Sequence, residues 1–285
     1  MERDYSNISP SARMLLMMKG STPIPYARQA AELIMKPEKY EPDLANKDSK
    51  FWMRMMHFEE RYNTIDRLLE KLDIRNILEL SSGFSFRGLE MTGKMENLHY
   101  IDTDLPDIIT TKKKLLKELN GTAKENSKLE LLPMNALDGK EFRRIVQRFE
   151  AGPIAIINEG LLMYLGEHEK KQLCKTIHDI LKERGGYWIT ADVYVKNEMA
   201  KFAQSADDEL NRLIAEERVE EKKFDDFNKA KEFFTEAGFE IDKTAGPNYF
   251  SLRSLRYLLK ILSLEMLIHS PAPPKIHETW RLKVV

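Results

Sequence analysis

The chain predicts an α/β fold built on a mostly parallel sheet, and three observations carry that prediction. Short apolar or β-branched runs alternate with longer amphipathic stretches, the rhythm of strands wrapped by helices. The 285 residues are 42% hydrophobic, enough to bury one large domain or a domain with an accessory layer. The stretch NILELSSGFSFRG, residues 76–88, reads as strand, tight turn and helix, the junction where such sheets hold ligands.

The strands read as Asn76–Leu80, Leu98–Asp102, Leu129–Met134, Ile154–Asn158, Gly186–Val193 and Phe239–Thr244, with ETWRLKVV at the end as a seventh. Helices fall between them at Phe86–Lys94, Pro106–Leu119, Lys140–Phe149 and Glu167–Glu183. Pro106 suits a first helical turn and Asp138 is placed to cap the third of these helices. A charged helical stretch is expected over Asn197–Lys223, with Leu210, Leu213 and Ile214 able to line one face. From Gly246 to His277 the chain makes an excursion too long for a hairpin, containing the apolar helix LRSLRYLLKILSLEMLIHS. The region before the first strand reads as helical, with methionine-rich pieces at MLLMMKG and FWMRMMHF. Methionine either packs such helices onto the sheet or makes a pliable cover over a cleft.

Basic and acidic residues nearly balance, 45 against 46, so no overall field points to nucleic acid or an anionic membrane. Nothing approaches the ~18 apolar residues of a membrane span, and the start has no basic region before its short apolar run. A cytoplasmic protein is the expectation. The single cysteine, Cys174, excludes an internal disulfide and a cysteine-cluster metal site. It sits in a helical pattern and reads as a small buried hydrophobe. None of the six histidines pairs with another at metal-ligand spacing, and no metal is expected.

Candidate site residues gather at predicted strand ends. The turn Glu79-Leu80-Ser81-Ser82-Gly83-Phe84-Ser85 has one central glycine, which lets a ligand approach the backbone, and small serines at 81 and 85. The second strand ends in HYIDTDLP, placing Asp102 19 residues beyond Gly83, with Asp104 close behind. A carboxylate there can accept from both hydroxyls of a ribose, although Asp104 could also cap a helix. Asn135, Ala136 and Asp138 lie at the third strand tip, where a polar edge beside an apolar face suits adenine. Glu159 ends the fourth strand; burying it needs a partner, which a cationic ligand would supply.

Together EERYNTID, ELSSGFSFRG, IDTDLP and NEGLLMYL resemble the leucine carboxyl methyltransferase family of S-adenosylmethionine-dependent enzymes, over about residues 10 to 195. That family includes protein C-terminal leucine methylators and bacterial O-methyltransferases of polyketide-type pathways. The resemblance implies a class I methyltransferase (Rossmann-like) fold: a seven-stranded mostly parallel sheet, a helical N-terminal cover over 1–72, a cofactor-binding core over 73–195, and a C-terminal part over 196–285 with a lid insertion near 245–277. It implies that Arg61 binds the methionine carboxylate of the cofactor, Gly83 lines the methionine, and Asp104, with Asp102, holds the ribose. Asn135 and Ala136 fall where the family has Asp-Leu beside adenine, and Glu159 matches the acid before its Leu-Met-Tyr-Leu run. The chain departs from the family's Leu-Gly-Ala-Gly-Leu-Asp-Thr-Arg turn: Ser81 replaces the first glycine and Ser85 the aspartate.

The implied reaction is methyl transfer to a carboxylate or hydroxyl of a small molecule. The alternatives are a protein C-terminal leucine carboxylate as acceptor, or cofactor binding without catalysis. A serine hydrolase does not fit, because a nucleophile elbow needs a small residue where Arg87 stands. A nicotinamide dehydrogenase wants more glycines than this turn has. No general base stands out; Tyr164, Asp192, Tyr194 and His57 are the residues able to face an acceptor.

Overall fold

The computed structural model describes residues 9–196, 212, 215–246, 248–262 and 275–285. Seven strands form one sheet: β1 Asn76–Leu80, β2 His99–Asp104, β3 Lys128–Pro133, β4 Ile154–Asn158, β5 Gly186–Tyr194, β6 Phe239–Ala245 and β7 His277–Val284. Their order is β3-β2-β1-β4-β5-β7-β6. Strands β1 to β5 run parallel, and β7 is antiparallel to both β5 and β6. Because β1 pairs with both β2 and β4, the chain reverses its direction of travel there. The crevice at such a switch point is where doubly wound sheets bind ligands.

Strand β2 runs to Asp104, beyond the expected end at Asp102, because Thr103 and Asp104 continue the ladder opposite Leu132 and Pro133. Helices α1 Ser9–Lys19, α2 Ala27–Met35 and α3 Ser49–Leu69 precede the sheet. Between strands lie α4 Arg87–Lys94, α5 Pro106–Glu118, α6 Gly139–Val146 and α7 Glu167–Arg184. Asp138 caps α6 by accepting from the N–H groups of Lys140 and Glu141. A helical turn at Val219–Lys222, then α8 Phe227–Glu236 and α9 Arg253–Ile261, complete the described helices. Most of the expected 197–223 helix, including Leu210, Leu213 and Ile214, lies outside the described residues.

Strand residues alternate between two apolar layers, as the period of two requires. Ile154 and Ile156 meet Phe142, Ile177 and Phe234 on one face. Ala155 and Ile157 meet Ile65 and Leu68 of α3 on the other. Cys174 lies in the first layer, where burial pushes its thiol up to about 12, the inert position its sequence context predicts.

Helix α3 also carries the described part of the excursion, which over 263–274 lies outside the described residues. Glu59 accepts from the N–H groups of Arg253 and Ser254 at 2.7 and 3.0 Å, satisfying the start of α9. Tyr257 of α9 stacks on Trp52, 4.3 Å between ring centroids, and Leu258 joins Trp52, Met55 and Phe58. Met14 and Met18 pack on this same cluster. Those methionines therefore seat the N-terminal helices on one another. Among the described residues no helix is long and apolar enough to cross a membrane.

Candidate cofactor site

The strand tips at the switch point, with residues of α1 and α3, line a partly open cavity of ≈ 310 Å³. Arg61, Ser81, Gly83, Asp104, Asn135, Ala136 and Glu159 all line it. Glu79 and Asp102 do not.

Two residues of the β1 turn take left-handed backbone. Ser81 stands at φ 49° and Gly83 at φ 53°, both in the left-handed region. The serine thus adopts the backbone that glycine takes without strain, at a cost of roughly 1 kcal/mol. At Gly83 a Cβ would meet only the Ala12 Cβ at 3.9 Å, so the dihedral angle, not crowding, calls for glycine. The Gly83 N–H donates to Asp104 Oδ2 at 2.6 Å, and the Leu105 N–H donates to Oδ1 at 2.7 Å. Burial raises the Asp104 carboxyl above its ordinary range, and these two N–H groups pull it back.

Asp102 lies beneath the turn instead, paired with Lys112 at 2.7 Å. The same ammonium donates to Ser82 Oγ at 2.8 Å, so this pair supports the loop from below. Glu79 accepts from the Tyr100 hydroxyl at 2.6 Å and faces Arg87 Nε at 3.6 Å, buried inside the fold.

Glu159 has three cationic side chains of the protein around it. Lys19 of α1 donates to it at 2.8 Å and Arg87 at 3.2 Å, while Arg61 stands 3.8 Å away. Burial alone would raise its pKa; the three cations overcome this and hold it at about 2. Arg87 is itself fully buried, bonded to Asp66 and the Tyr62 carbonyl, and lies 3.8 Å over the Tyr62 ring.

Arg61 is held loosely by comparison. Its Nη2 is 3.5 Å from Asp192 and its buried Nε has no hydrogen-bond partner. Arg61 lines the cavity, and a guanidinium held this loosely has donor capacity to spare for a carboxylate. Asp192, one of the residues considered for the acceptor side, is off the wall and saturated. It accepts from the N–H groups of Gly160, Leu161 and Leu162 at 2.6, 2.7 and 3.0 Å and from the Asn158 amide at 2.6 Å.

Beside β3, Asn135 Oδ1 accepts from the Leu137 N–H at 3.0 Å, which turns Ala136 and Leu137 into an apolar wall. Tyr164, Tyr194 and His57 line the far side, with His57 Nε2 2.6 Å from the Tyr194 hydroxyl. Burial raises the Tyr194 hydroxyl well above its ordinary range, so it stays protonated at neutral pH. Lys19 and Lys223, which line the cavity, and Lys112, which pairs with Asp102, were not legible as site residues. Arg87 had a visible signal, its position at the first helical residue after the turn.

The model of the leucine carboxyl methyltransferase family matches residues 9–178, more than half of the chain. The chain belongs to that family. Its cofactor is S-adenosylmethionine, and its fold is the seven-stranded, Rossmann-like one seen here. No curated protein matches the chain by sequence. Among solved structures, a DUF574 family protein from Streptomyces avermitilis is 13% identical, with 96% of each chain covered and a TM-score of 0.53. The mitomycin 7-O-methyltransferase MmcR is 9% identical, with 97% of this chain and 67% of that one covered and a TM-score of 0.47. LepI in complex with SAM is 10% identical, with 92% and 53% covered and a TM-score of 0.45. The chain thus spans about half the length of LepI.

Proposed function

We propose that this protein transfers the methyl group of S-adenosylmethionine to an oxygen of a small-molecule acceptor. The observation that carries this reading is the loosely held Arg61, which lines one partly open cavity at the switch point together with Gly83 and Asp104. In this reading Arg61 holds the methionine carboxylate, a planar task suited to a guanidinium. Asp104 keeps lone pairs on both oxygens for ribose hydroxyls after serving Gly83 and Leu105. Ala136 and Leu137 supply an apolar face for adenine. The ionised Glu159 keeps Arg61 and Lys19 together at the methionine end.

The cofactor brings an already activated methyl group, so the chain's task is alignment and exclusion of water. A carboxylate acceptor is ionised at pH 7 and asks for no base; a hydroxyl would need one. The cavity's Leu15, Leu16, Phe58 and Leu161 present apolar wall to such an acceptor. The family's small-molecule O-methyltransferases and the MmcR likeness accord with this choice without fixing the substrate.

The test is equilibrium binding of S-adenosylmethionine, then transfer of labelled methyl to a panel of small carboxylates and phenols. No binding would sink the proposal, and binding without transfer to any acceptor would favour a non-catalytic role. Arg61→Ala should weaken cofactor binding by about 2–5 kcal/mol, as loss of a buried charge partner does. Unchanged affinity removes Arg61 from the site.

A further inference from the structure

We infer that His57, Glu60 and His277 form a binding site for a divalent transition-metal ion of the zinc class, joining α3 to β7 at the edge of the cavity. Spacing along the chain hides this site, because His277 lies far beyond the other two. In the fold, His57 and Glu60 are three residues apart on one face of α3, and His277 opens β7 directly opposite. One ligand atom from each lies within 4.8 Å of the other two.

The proton positions favour an ion. His277 Nε2 lies 2.8 Å from the Ala191 carbonyl oxygen, which can only accept, so that nitrogen carries a proton. The ring is thereby fixed with Nδ1 turned toward Glu60, the arrangement by which a backbone carbonyl orients a metal-binding histidine. Nδ1 and Glu60 Oε2 are 3.5 Å apart. A charge-assisted hydrogen bond would close to about 2.7–2.9 Å. Two nitrogen or oxygen ligands at about 2.1 Å from one tetrahedral ion stand about 3.4 Å apart. The observed separation matches the second geometry.

The Glu60 side chain is 8% exposed, and its Oε2 is turned toward His277 Nδ1. The third ligand, His57, has its ring held by the Tyr194 hydroxyl at 2.6 Å and packed edge-on against His277. Two imidazoles and one carboxylate suit Zn²⁺ and related ions, and leave one coordination position over.

The experiment strips the full-length protein with chelator, removes the chelator, and titrates Zn²⁺ by calorimetry and Co²⁺ by visible absorption. The expected result is one ion per chain and the absorption of a cobalt–histidine site. Affinity should fall at least about tenfold in His277→Gln and in Glu60→Gln and stay unchanged in His168→Gln, which alters an exposed histidine. Near-ultraviolet circular dichroism checks that each variant is folded. Substoichiometric binding by the wild-type chain overturns the inference whatever the variants do. So does equal binding by wild type and folded Glu60→Gln, which would place the ion elsewhere.

Discussion

After β1, the turn Ser81–Ser85 gives one backbone N–H, that of Gly83, to a carboxylate on the neighbouring strand, Asp104. After β4, the loop gives three, from Gly160, Leu161 and Leu162, to Asp192 on its own neighbour β5, which also takes the Asn158 amide. The two tips are adjacent in the sheet and use the same device, a carboxylate gathering amides. They differ in how much of that carboxylate is left over. Asp192 is saturated, fully buried and off the cavity wall, so it holds its loop and pairs with Arg61 but has no room for a ligand. Asp104 is on the wall with lone pairs remaining, so it can hold its loop and a ligand together. Saturation separates a structural acid from a binding one.

Removing the saturated acid should produce the largest effect. Asp192→Ala orphans three backbone N–H groups, two of them buried, and should cost about 3–5 kcal/mol, lowering Tm by roughly 10 °C in thermal unfolding without ligand. A Tm within experimental error of wild type would break the comparison at its stronger end. Next comes Glu159, held at about 2 against an ordinary 4.5, a difference worth up to about 3 kcal/mol. Because its folded pKa is lowered, that contribution is complete above about pH 4.5 and disappears as pH falls through about 2. Urea unfolding of wild type and Glu159→Gln should therefore differ most near neutrality and converge in acid; a constant gap would mean that the gap is not the carboxylate's charge.

Asp104→Asn should shift the balance the other way from Asp192→Ala. It keeps one acceptor oxygen and loses one of the two N–H bonds, so stability should fall by only about 1 kcal/mol while S-adenosylmethionine affinity falls by about 1–2 kcal/mol. Equal affinity in the two proteins would assign Asp104 to loop support alone. The smallest effect is expected from Ser81→Gly, which relieves the left-handed backbone but frees the unfolded chain. The urea midpoint should rise by the equivalent of less than about 1 kcal/mol; a fall would show that the serine is unstrained there.

The same contrast explains what the sequence could reveal. Gly83, Asp104, Ala136 and Glu159 sit at strand ends, and strand ends are readable from apolar runs and the turns that stop them. Arg61 was reachable only through the family motif EERYNTID, since nothing in a helical repeat marks one arginine as facing a cavity. Asp102 and Asp104 look equivalent in HYIDTDLP, yet one pairs with Lys112 under the turn and the other meets the cavity. That choice depends on where α5 delivers Lys112, a tertiary fact. Lys19 and Asp192 were opaque for the same reason: their partners lie far away in the chain. Ser81 was visible as a departure, but only its φ shows that it takes left-handed backbone.

Helix α3 deserves to be seen as a camshaft. Along its single rigid axis, Glu59 engages α9, Glu60 faces His277, Arg61 reaches the cavity, and the Thr64 hydroxyl meets that of Thr279 at 2.7 Å. Each residue turns the lobe by about 100°, so the four settings are phased by their positions along the helix alone. Inserting one residue ahead of Thr64 would therefore mistime every follower upstream relative to Thr64 at once. The angular phase of one helix fixes the cover, the excursion and the cavity in mutual alignment.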